Sequence, residues 1–455
     1  MKKGINILIV GFALFSMFFG AGNLIFPPYL GIASGSEWLI SFTGFIIGDV
    51  GLALLIMVIM AKHNGDLSKV TMKMGKKFSI ILGVVIITCL GPLLAIPRTA
   101  ATTFEVGVQG IFPNANPIIT SIIFFAITLV LTIKPSKVVD IVGEFLTPAL
   151  LLCLAILIVK GIMNPIGDFM APRITDVFSM GLSQGYQTMD ALASLMFAVI
   201  IMESIRKKGY TDKKEVIKMT FYSGIVATIG LIVVYAGLAY IGAHSANMYE
   251  TTIPQTQLII SITASVLGQG GKIILGLIVA LACLTTAIGL TSAAANFYEK
   301  LFDGKYSYSK IVVVICVFSA VISNFGVSTI IQFSAPILEL IYPMSIVLVV
   351  MNAFDDKIRS KSTYVGAVYT TLAISVFNLM SKYGYTASFL KYLPLSSIGF
   401  NWILPAIIGG VIGSIMIFTR KKLKSDYIPL GPSLAVGAYF SLIIGENLIS
   451  IFMGI

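Results

Sequence analysis

Two polar, glycine-containing stretches lie inside long apolar runs of the sequence, and both have the composition of an interrupted helix. The first, residues 18–28, contains two glycines and an asparagine ahead of two prolines. The second, residues 183–191, contains Gly185 and the ionisable Asp190. Glycine and proline both weaken a helix interior, proline by about 3 kcal/mol. We therefore expect two helices that break within an apolar layer and leave backbone amides and carbonyls available there.

Such breaks offer backbone groups that bind opposite charges. Amide donors at the start of the half-helix that follows the first break suit a carboxylate. Carbonyls at the ends of the half-helices that precede the two breaks suit an ammonium group or a sodium ion. The pair therefore fits an amino acid zwitterion. The residues predicted to bind it are Gly20, Ala21, Gly22, Asn23, Tyr186, Gln187, Met189 and Asp190.

Charged side chains inside the apolar runs are costly and are by default functional. Asp190 is the acid nearest the predicted site, where it can pair with an ammonium group, a cation or Arg98. Arg98 is interpreted either as an outer gate or as a side chain that extends to the membrane surface. No role follows for the other acids inside the runs, which are Asp49, Glu144, Glu339 and Glu446.

The composition requires lipid around most of the chain. Of 455 residues, 57% are hydrophobic and 11% are charged, against roughly 25% charged in a soluble domain. Apolar runs of about twenty residues recur, each long enough to cross a hydrocarbon core as a helix, and the alternating strands of a barrel are not visible. The net charge of +11 is spread over short loops, which argues against a nucleic-acid partner. The four cysteines have no metal-like spacing.

Thirteen spans are predicted, and the N-terminal run is interpreted as the retained first helix rather than a signal peptide. They are 5–30, 38–61, 78–103, 117–133, 139–160, 180–205, 217–243, 273–298, 309–324, 329–351, 363–381, 400–419 and 429–453. With the N-terminus in the cytoplasm, 25 basic residues fall in inner loops and 5 in outer loops. This asymmetry is what the positive-inside rule predicts, and it places loop 206–216 inside and loop 245–270 outside.

The two interrupted spans are the first and the sixth. This is the relation expected of two five-helix halves, and because five is odd the second half is inverted. Paired broken helices in inverted halves predict a substrate site near the membrane midplane. The expected organisation is a first repeat at 1–161, a second at 175–352, two accessory helices at 362–420 and an additional helix at 426–455.

Several separated motifs resemble the branched-chain amino acid:cation symporter family over about residues 5–420. They are Phe19 to Pro28, Gly91-Pro92, Ile96 to Ala100, Gly185 to Asp190, Ala282 to Thr291, Ser323 to Gly326 and Tyr342-Pro343. The resemblance implies an all-α membrane protein with the LeuT-type fold, a ten-helix inverted core plus two extra helices. It also implies import of leucine, isoleucine or valine across the cell membrane by symport with a cation. Lipid and this small substrate are the expected partners, and no enzymatic activity is expected.

The coupling ion is predicted from a second, more distant match. The stretch from Ala282 to Thr286 is similar to the sodium-binding stretch of LeuT-type symporters. The match implies a sodium site of three carbonyls and two hydroxyls, from Ser16, Phe19, Ala282, Thr285 and Thr286. Thr188, with Asn23, matches a second sodium position more weakly. Proton-coupled relatives of this fold often have a lysine in the fifth span where sodium would bind. The fifth span here has no interior lysine, so the resemblance favours sodium over a proton. No other cofactor is expected.

The tail leaves a different class of protein open. Residues 407–455 resemble the C-terminal end of prepilin peptidases, which are membrane-embedded aspartyl proteases. Those enzymes need two aspartates near the membrane surface, one of them in a Gly-x-Gly-Asp setting. This chain has Gly48-Asp49 in another context and no convincing partner. The alternatives to sodium symport are therefore a proton-coupled amino acid symporter, a membrane-embedded aspartyl protease and, less favoured, an ion channel.

Overall fold

The computed structural model describes residues 2–134, 138–355, 357–358, 360–385 and 387–420. These residues form helices and connecting turns, with no strand among them. The helices are α1 (Lys2–Phe18), α2 (Ala21–Ser34), α3 (Trp38–Ile46), α4 (Leu52–Lys62), α5 (Leu67–Thr71), α6 (Lys76–Thr88), α7 (Ala95–Thr102), α8 (Gln109–Ile111), α9 (Pro117–Thr132), α10 (Val138–Ile141), α11 (Thr147–Met163), α12 (Val177–Thr188), α13 (Asp190–Lys207), α14 (Lys213–Ala243), α15 (Gln255–Leu267), α16 (Gly271–Leu301), α17 (Tyr308–Ser323), α18 (Val327–Ala353), α19 (Lys361–Lys382) and α20 (Ile403–Arg420).

Several spans contain π-helical turns, which are frequent at functional sites. The turns are Ile47–Gly51 between α3 and α4, Cys89–Leu93 after α6, Thr103–Val108 between α7 and α8, and Val142–Leu146 between α10 and α11. Asp49 lies in the first of them and Glu144 in the last. Two intramembrane acids that had no role in the sequence therefore lie where the backbone departs from a regular α-helix.

Eight helical stretches of the described residues are long and apolar enough to cross a membrane. Five further apolar helices have 10–17 residues. Large apolar side chains also point away from the protein, as on α9, where Ile119 is 57% exposed and Val130 is 71% exposed. Because lipid rather than water accommodates such a surface, the chain is a multi-pass membrane protein.

The first twelve predicted spans coincide with helices of the structure, and the thirteenth lies outside the described residues. One helix in the loop 245–270 was not predicted. This helix, α15, begins after Pro254 and has 13 residues. Because it is too short to cross a bilayer, hydropathy over a membrane-length window does not detect it.

The chain divides into two compact units. The first comprises residues up to 65 together with 84–334. Within it, α1 packs against α13, α14 and α16, while α2 packs against α12 and α14. All the predicted substrate and sodium residues belong to this unit.

The second unit comprises 66–83 and the described residues from 335 onward. Its main contact is between α19 and α20, where Gly366 and Gly409 allow the two backbones to touch. Within the same unit, the Asn352 side chain donates to the carbonyl of Val70 over 2.9 Å.

Candidate functional site

The first interruption lies between α1 and α2, at Phe19 and Gly20. Gly20 is extended, and its amide donates to Oδ1 of Asn23 over 3.1 Å. A Cβ atom on Gly20 would lie 2.8 Å from Oγ1 of Thr286, so only glycine fits against α16 here. The predicted break is therefore confirmed in place. It is shorter than expected, because Ala21, Gly22 and Asn23 already belong to α2.

The second interruption is at Met189, between α12 and α13. Met189 has φ +74°, the left-handed conformation, which is costly for a side chain of this size. Gly185, which the sequence suggested as the point of interruption, lies within α12. A Cβ atom on Gly185 would lie 2.7 Å from the carbonyl oxygen of Phe45, so this glycine permits close helix packing instead.

Arg98, on α7, reaches the second interruption. Its Nη1 donates to the carbonyl of Gln187 over 3.0 Å, and its Nη2 donates to the carbonyl of Thr188 over 3.2 Å. These carbonyls at the end of α12 were expected to be available to an ammonium group or a cation, and the structure differs because the arginine already binds them. Arg98 is 3% exposed, so it does not extend to the membrane surface.

Asp190 and Asn23 form the polar centre of the first unit. Nδ2 of Asn23 donates to Oδ2 of Asp190 over 2.7 Å and lies 2.5 Å from the hydroxyl of Tyr235 on α14. Phe19 stacks on the Tyr235 ring with centroids 6.0 Å apart. Asn23 and Asp190 are both almost completely buried.

Asp49 joins this centre, and sequence reasoning missed its role. Its Oδ1 accepts a 2.9 Å hydrogen bond from the hydroxyl of Thr188, which also donates to the carbonyl of Gly185. The Thr188 hydroxyl also accepts from the backbone amide of Asp190 over 3.4 Å, so this threonine connects Asp49 to Asp190. The only indication in the sequence was that Asp49 is an acid inside a membrane span. The sequence of the span does not show which acid faces the site.

Four of the five predicted sodium residues, Ser16, Ala282, Thr285 and Thr286, come together between α1 and α16. Oγ1 of Thr285 lies 2.8 Å from the carbonyl oxygen of Ser16 and 2.9 Å from that of Ala282. Oγ1 of Thr286 lies 3.5 Å from the same Ser16 oxygen. Oγ of Ser16 is buried without a hydrogen-bond partner among the described residues. The oxygens are neutral and come from both helices, which is a donor set suited to a hard cation.

A small cavity of about 20 Å³ lies between the two interruptions, room for about one water molecule. Of the predicted residues, Gly20, Ala21, Asn23, Thr188, Met189, Asp190 and Thr286 line it. Gly22, Tyr186, Gln187, Ser16, Phe19, Ala282 and Thr285 do not. Apolar residues complete the wall, including Met17, Phe18, Leu90, Phe197 and Leu290. Leu24 on α2 and Ile288 on α16 are buried but do not line this cavity.

Two interrupted helices around a buried, charged cavity define a membrane transport protein of the LeuT-type fold. The solved structure of Mhp1, a nucleobase-cation-symport-1 family transporter in a closed conformation with bromovinylhydantoin bound, has a TM-score of 0.62 with this chain. The identity is 12%, and the match covers 94% of this chain and 95% of that one. At this identity the likeness shows the fold alone, and it agrees with the fold that the sequence predicted.

The family is shown by closer comparisons. Residues 3–420 match the family described as branched-chain amino acid transport protein, and the chain belongs to that family. The branched-chain amino acid permease BraB of Bacillus subtilis strain 168 is 37% identical over 424 residues, 90% of this chain and 95% of BraB. The permease BrnQ of the same strain is 35% identical over 430 residues, 91% of this chain and 98% of BrnQ.

These comparisons decide between the classes of protein that the sequence left open. The family and the two relatives are transport proteins, so the chain is not an enzyme and the protease alternative is wrong. The family match ends at residue 420, and the resemblance of the tail to prepilin peptidases has no support. The additional helix predicted at 426–455 lies outside the described residues.

Proposed function

We propose that this protein imports leucine, isoleucine and valine across the cell membrane together with sodium. The observation that carries the proposal is the meeting of both interrupted helices at one cavity with apolar walls and two buried charges. Leu90, Met189 and Phe197 in these walls suit an aliphatic side chain once the cavity widens beyond its present room for about one water molecule. Such a side chain gains about 0.8 kcal/mol per buried methylene. The names of the relatives, branched-chain amino acid permeases, support the same substrate class.

Sodium coupling is supported by the oxygens between α1 and α16. In the proposed site, the ion replaces the direct hydrogen bonds of Thr285 and binds the carbonyls of Ser16, Phe19 and Ala282 and the hydroxyls of Thr285 and Thr286. An ion that bridges α1 and α16 favours the arrangement of the break that binds substrate. Because linkage is reciprocal, substrate and sodium then strengthen each other's binding. A second sodium at Thr188 and Asn23 stays a weaker prediction.

Proton coupling is the second candidate, and one observation favours it. Asp49 and Asp190 are two buried acids connected through Thr188, and an acid in the membrane interior can carry a proton. One observation opposes proton coupling. Proton-coupled relatives of this fold often have a lysine inside this helix, whereas α11 and the turn before it have no lysine ahead of Lys160 in the last turn of α11. The two mechanisms differ in the gradient that drives uptake.

The orientation and the internal symmetry are also proposals. The distribution of basic residues supports an N-terminus in the cytoplasm. Inverted five-helix halves at 1–161 and 175–352, followed by accessory helices at 362–420, remain the proposed organisation. In this arrangement the two interruptions occupy corresponding places in the two halves.

The deciding experiment is uptake of labelled leucine into proteoliposomes with sodium and pH gradients imposed separately. We expect uptake with a sodium gradient at equal pH and little uptake with a pH gradient in the absence of sodium. The reverse result would assign coupling to protons. Absence of both uptake and leucine counterflow would contradict an amino acid transporter, because a carrier exchanges its substrate even without a net gradient.

A further inference from the structure

The cavity between the interrupted helices has one cationic and one anionic side chain in its wall, Arg98 and Asp190. They are 3% and 4% exposed, and every other residue in the wall is uncharged. Burying two charges in a membrane protein is costly unless each is paired. A largely apolar cavity with one charge of each sign in its wall is complementary to a ligand that carries one charge of each sign.

The guanidinium of Arg98 lies beside the first turn of α2. A Cβ atom on Gly22 would lie 3.0 Å from Nη2 of Arg98, so the arginine and the amide end of α2 face the same region. The Phe26 ring, one turn further along α2, lies 5.9 Å from the guanidinium carbon. The end of a helix with free amides and a guanidinium both favour an anion.

We propose that Arg98 binds the α-carboxylate of the transported amino acid and makes that carboxylate a requirement for binding. The inference rests on the proposed function, since it names the anion-binding residue of the same site. A guanidinium presents five donors in a planar fork, which matches a carboxylate with two parallel hydrogen bonds. Asp190, the acid in the same cavity wall, then receives the ammonium group.

The present partners of Arg98 are consistent with this role. The carbonyls of Gln187 and Thr188 carry only partial charges, whereas a carboxylate carries a full charge, and charged pairs make the stronger hydrogen bonds. A substrate carboxylate therefore competes with these carbonyls or adds to them. Because the carbonyls belong to the end of α12, substrate binding acts directly on the second interruption.

The test compares leucine with leucinol and leucinamide, which keep the ammonium group and the side chain but have no carboxylate. Binding to purified protein in detergent at saturating sodium is measured for the wild type and for Arg98→Gln. A hydrogen-bonded charge pair is worth about 10- to 100-fold in affinity. We expect Arg98→Gln to weaken leucine binding by about that factor while binding of leucinol changes little. The leucine-to-leucinol affinity ratio therefore falls.

Arg173→Gln is the matched control. Arg173 likewise donates to two backbone carbonyls, those of Ala246 and Tyr249, but it does not line the cavity. The Arg173→Gln variant should leave the leucine-to-leucinol affinity ratio unchanged even if the substitution lowers the stability of the protein. A purely structural role for Arg98 predicts equal losses for leucine and leucinol, and that result would overturn the proposal. So would unchanged leucine binding by Arg98→Gln.

Two further measurements cover a variant that does not fold. Arg98→Lys keeps the charge and loses the fork, and an intermediate fall of the ratio is expected. In the wild type, which needs no variant to fold, leucine should bind about 10- to 100-fold more tightly than leucinol or leucinamide. Equal binding of leucine and leucinol would overturn the proposal. Failure of the wild type to bind leucine at all would instead contradict the proposed function.

Discussion

Asn23 and Asp190 are joined by a 2.7 Å hydrogen bond from the amide nitrogen of Asn23 to Oδ2 of Asp190, and this bond connects the two interrupted helices. The same nitrogen lies 2.5 Å from the hydroxyl of Tyr235, and the amide oxygen accepts from the backbone of Gly20. The Asn23 side chain therefore connects α2, α13 and α14 close to the points where the two interrupted helices break. A substrate that binds Asp190 must act on this connection.

Asn23→Ala should lower the free energy of unfolding by about 1–3 kcal/mol, because it leaves buried groups on three elements without their partner. It should also reduce leucine uptake. Thermal unfolding in detergent and uptake in proteoliposomes measure the two effects. Asn6→Ala is the control, since Asn6 also donates to a tyrosine hydroxyl, that of Tyr210, but lies away from the interruptions. Equal behaviour of the two variants would show that the connection has no special role.

Thr285→Val and Thr286→Val should raise the sodium concentration needed for half-maximal leucine uptake, with less effect on protein abundance. Each change keeps the shape of the side chain and deletes one proposed oxygen ligand. Serine at either position keeps the oxygen and should have a much smaller effect. Sodium titrations of uptake provide the measurement.

Thr291→Val is the control for the sodium prediction. Thr291 is fully buried on the same helix, and its hydroxyl has no hydrogen-bond partner among the described residues. Because Thr291 is outside the proposed ion site, the Thr291→Val variant should leave sodium dependence unchanged. If Thr285→Val and Thr286→Val also leave it unchanged, the ion binds elsewhere.

Gly20→Ala should destabilise the protein and impair sodium-dependent uptake. The added Cβ atom would lie 2.8 Å from Oγ1 and 3.2 Å from Cγ2 of Thr286, and overpacking of this kind costs about 1–3 kcal/mol. Combination with Thr286→Ala removes both clashing atoms, so the double variant should regain thermal stability and still lack normal sodium dependence. Gly4→Ala has no heavy atom within 4 Å of the new Cβ and should be neutral. A neutral Gly20→Ala would mean that the first interruption packs differently against α16.

Leucine, isoleucine and valine should compete with one another for uptake within about two orders of magnitude, because one methylene in an apolar pocket is worth about 1–3 kcal/mol. Aspartate and lysine should not compete. A charged side chain on the substrate would have no partner in this cavity, since Arg98 and Asp190 already match the substrate's carboxylate and ammonium groups. Competition measurements with labelled leucine check this, and strong inhibition by a charged amino acid would contradict the apolar walls described above.

The orientation predicts opposite labelling of two exposed positions. Met248, 50% exposed in the loop 245–270, should become accessible to an impermeant thiol reagent on intact cells as Met248→Cys. Lys207→Cys, exposed at the end of α13, should react only after the membrane is opened. Labelling of Lys207→Cys on intact cells would reverse the proposed topology.

The amino-acid sequence by itself determined that the chain is a membrane protein, and it determined the helical fold and the first twelve spans. These properties depend on local quantities, since a run of apolar residues must form a helix in lipid and basic residues distinguish its two sides. The first interruption was also predictable, because Gly20 and Gly22 weaken a helix at this point, although Pro27 and Pro28 lie inside α2 and not at the break.

The tertiary structure decided which polar groups meet. Met189 rather than Gly185 takes the left-handed conformation, because Gly185 is needed where α12 touches Phe45. Asp49 joins the site, and Arg98 turns inward to the carbonyls of Gln187 and Thr188. A residue's place along its own helix does not say which neighbouring helix it faces. That depends on how the helices cross, and the crossing is fixed by contacts between residues that are distant in the sequence.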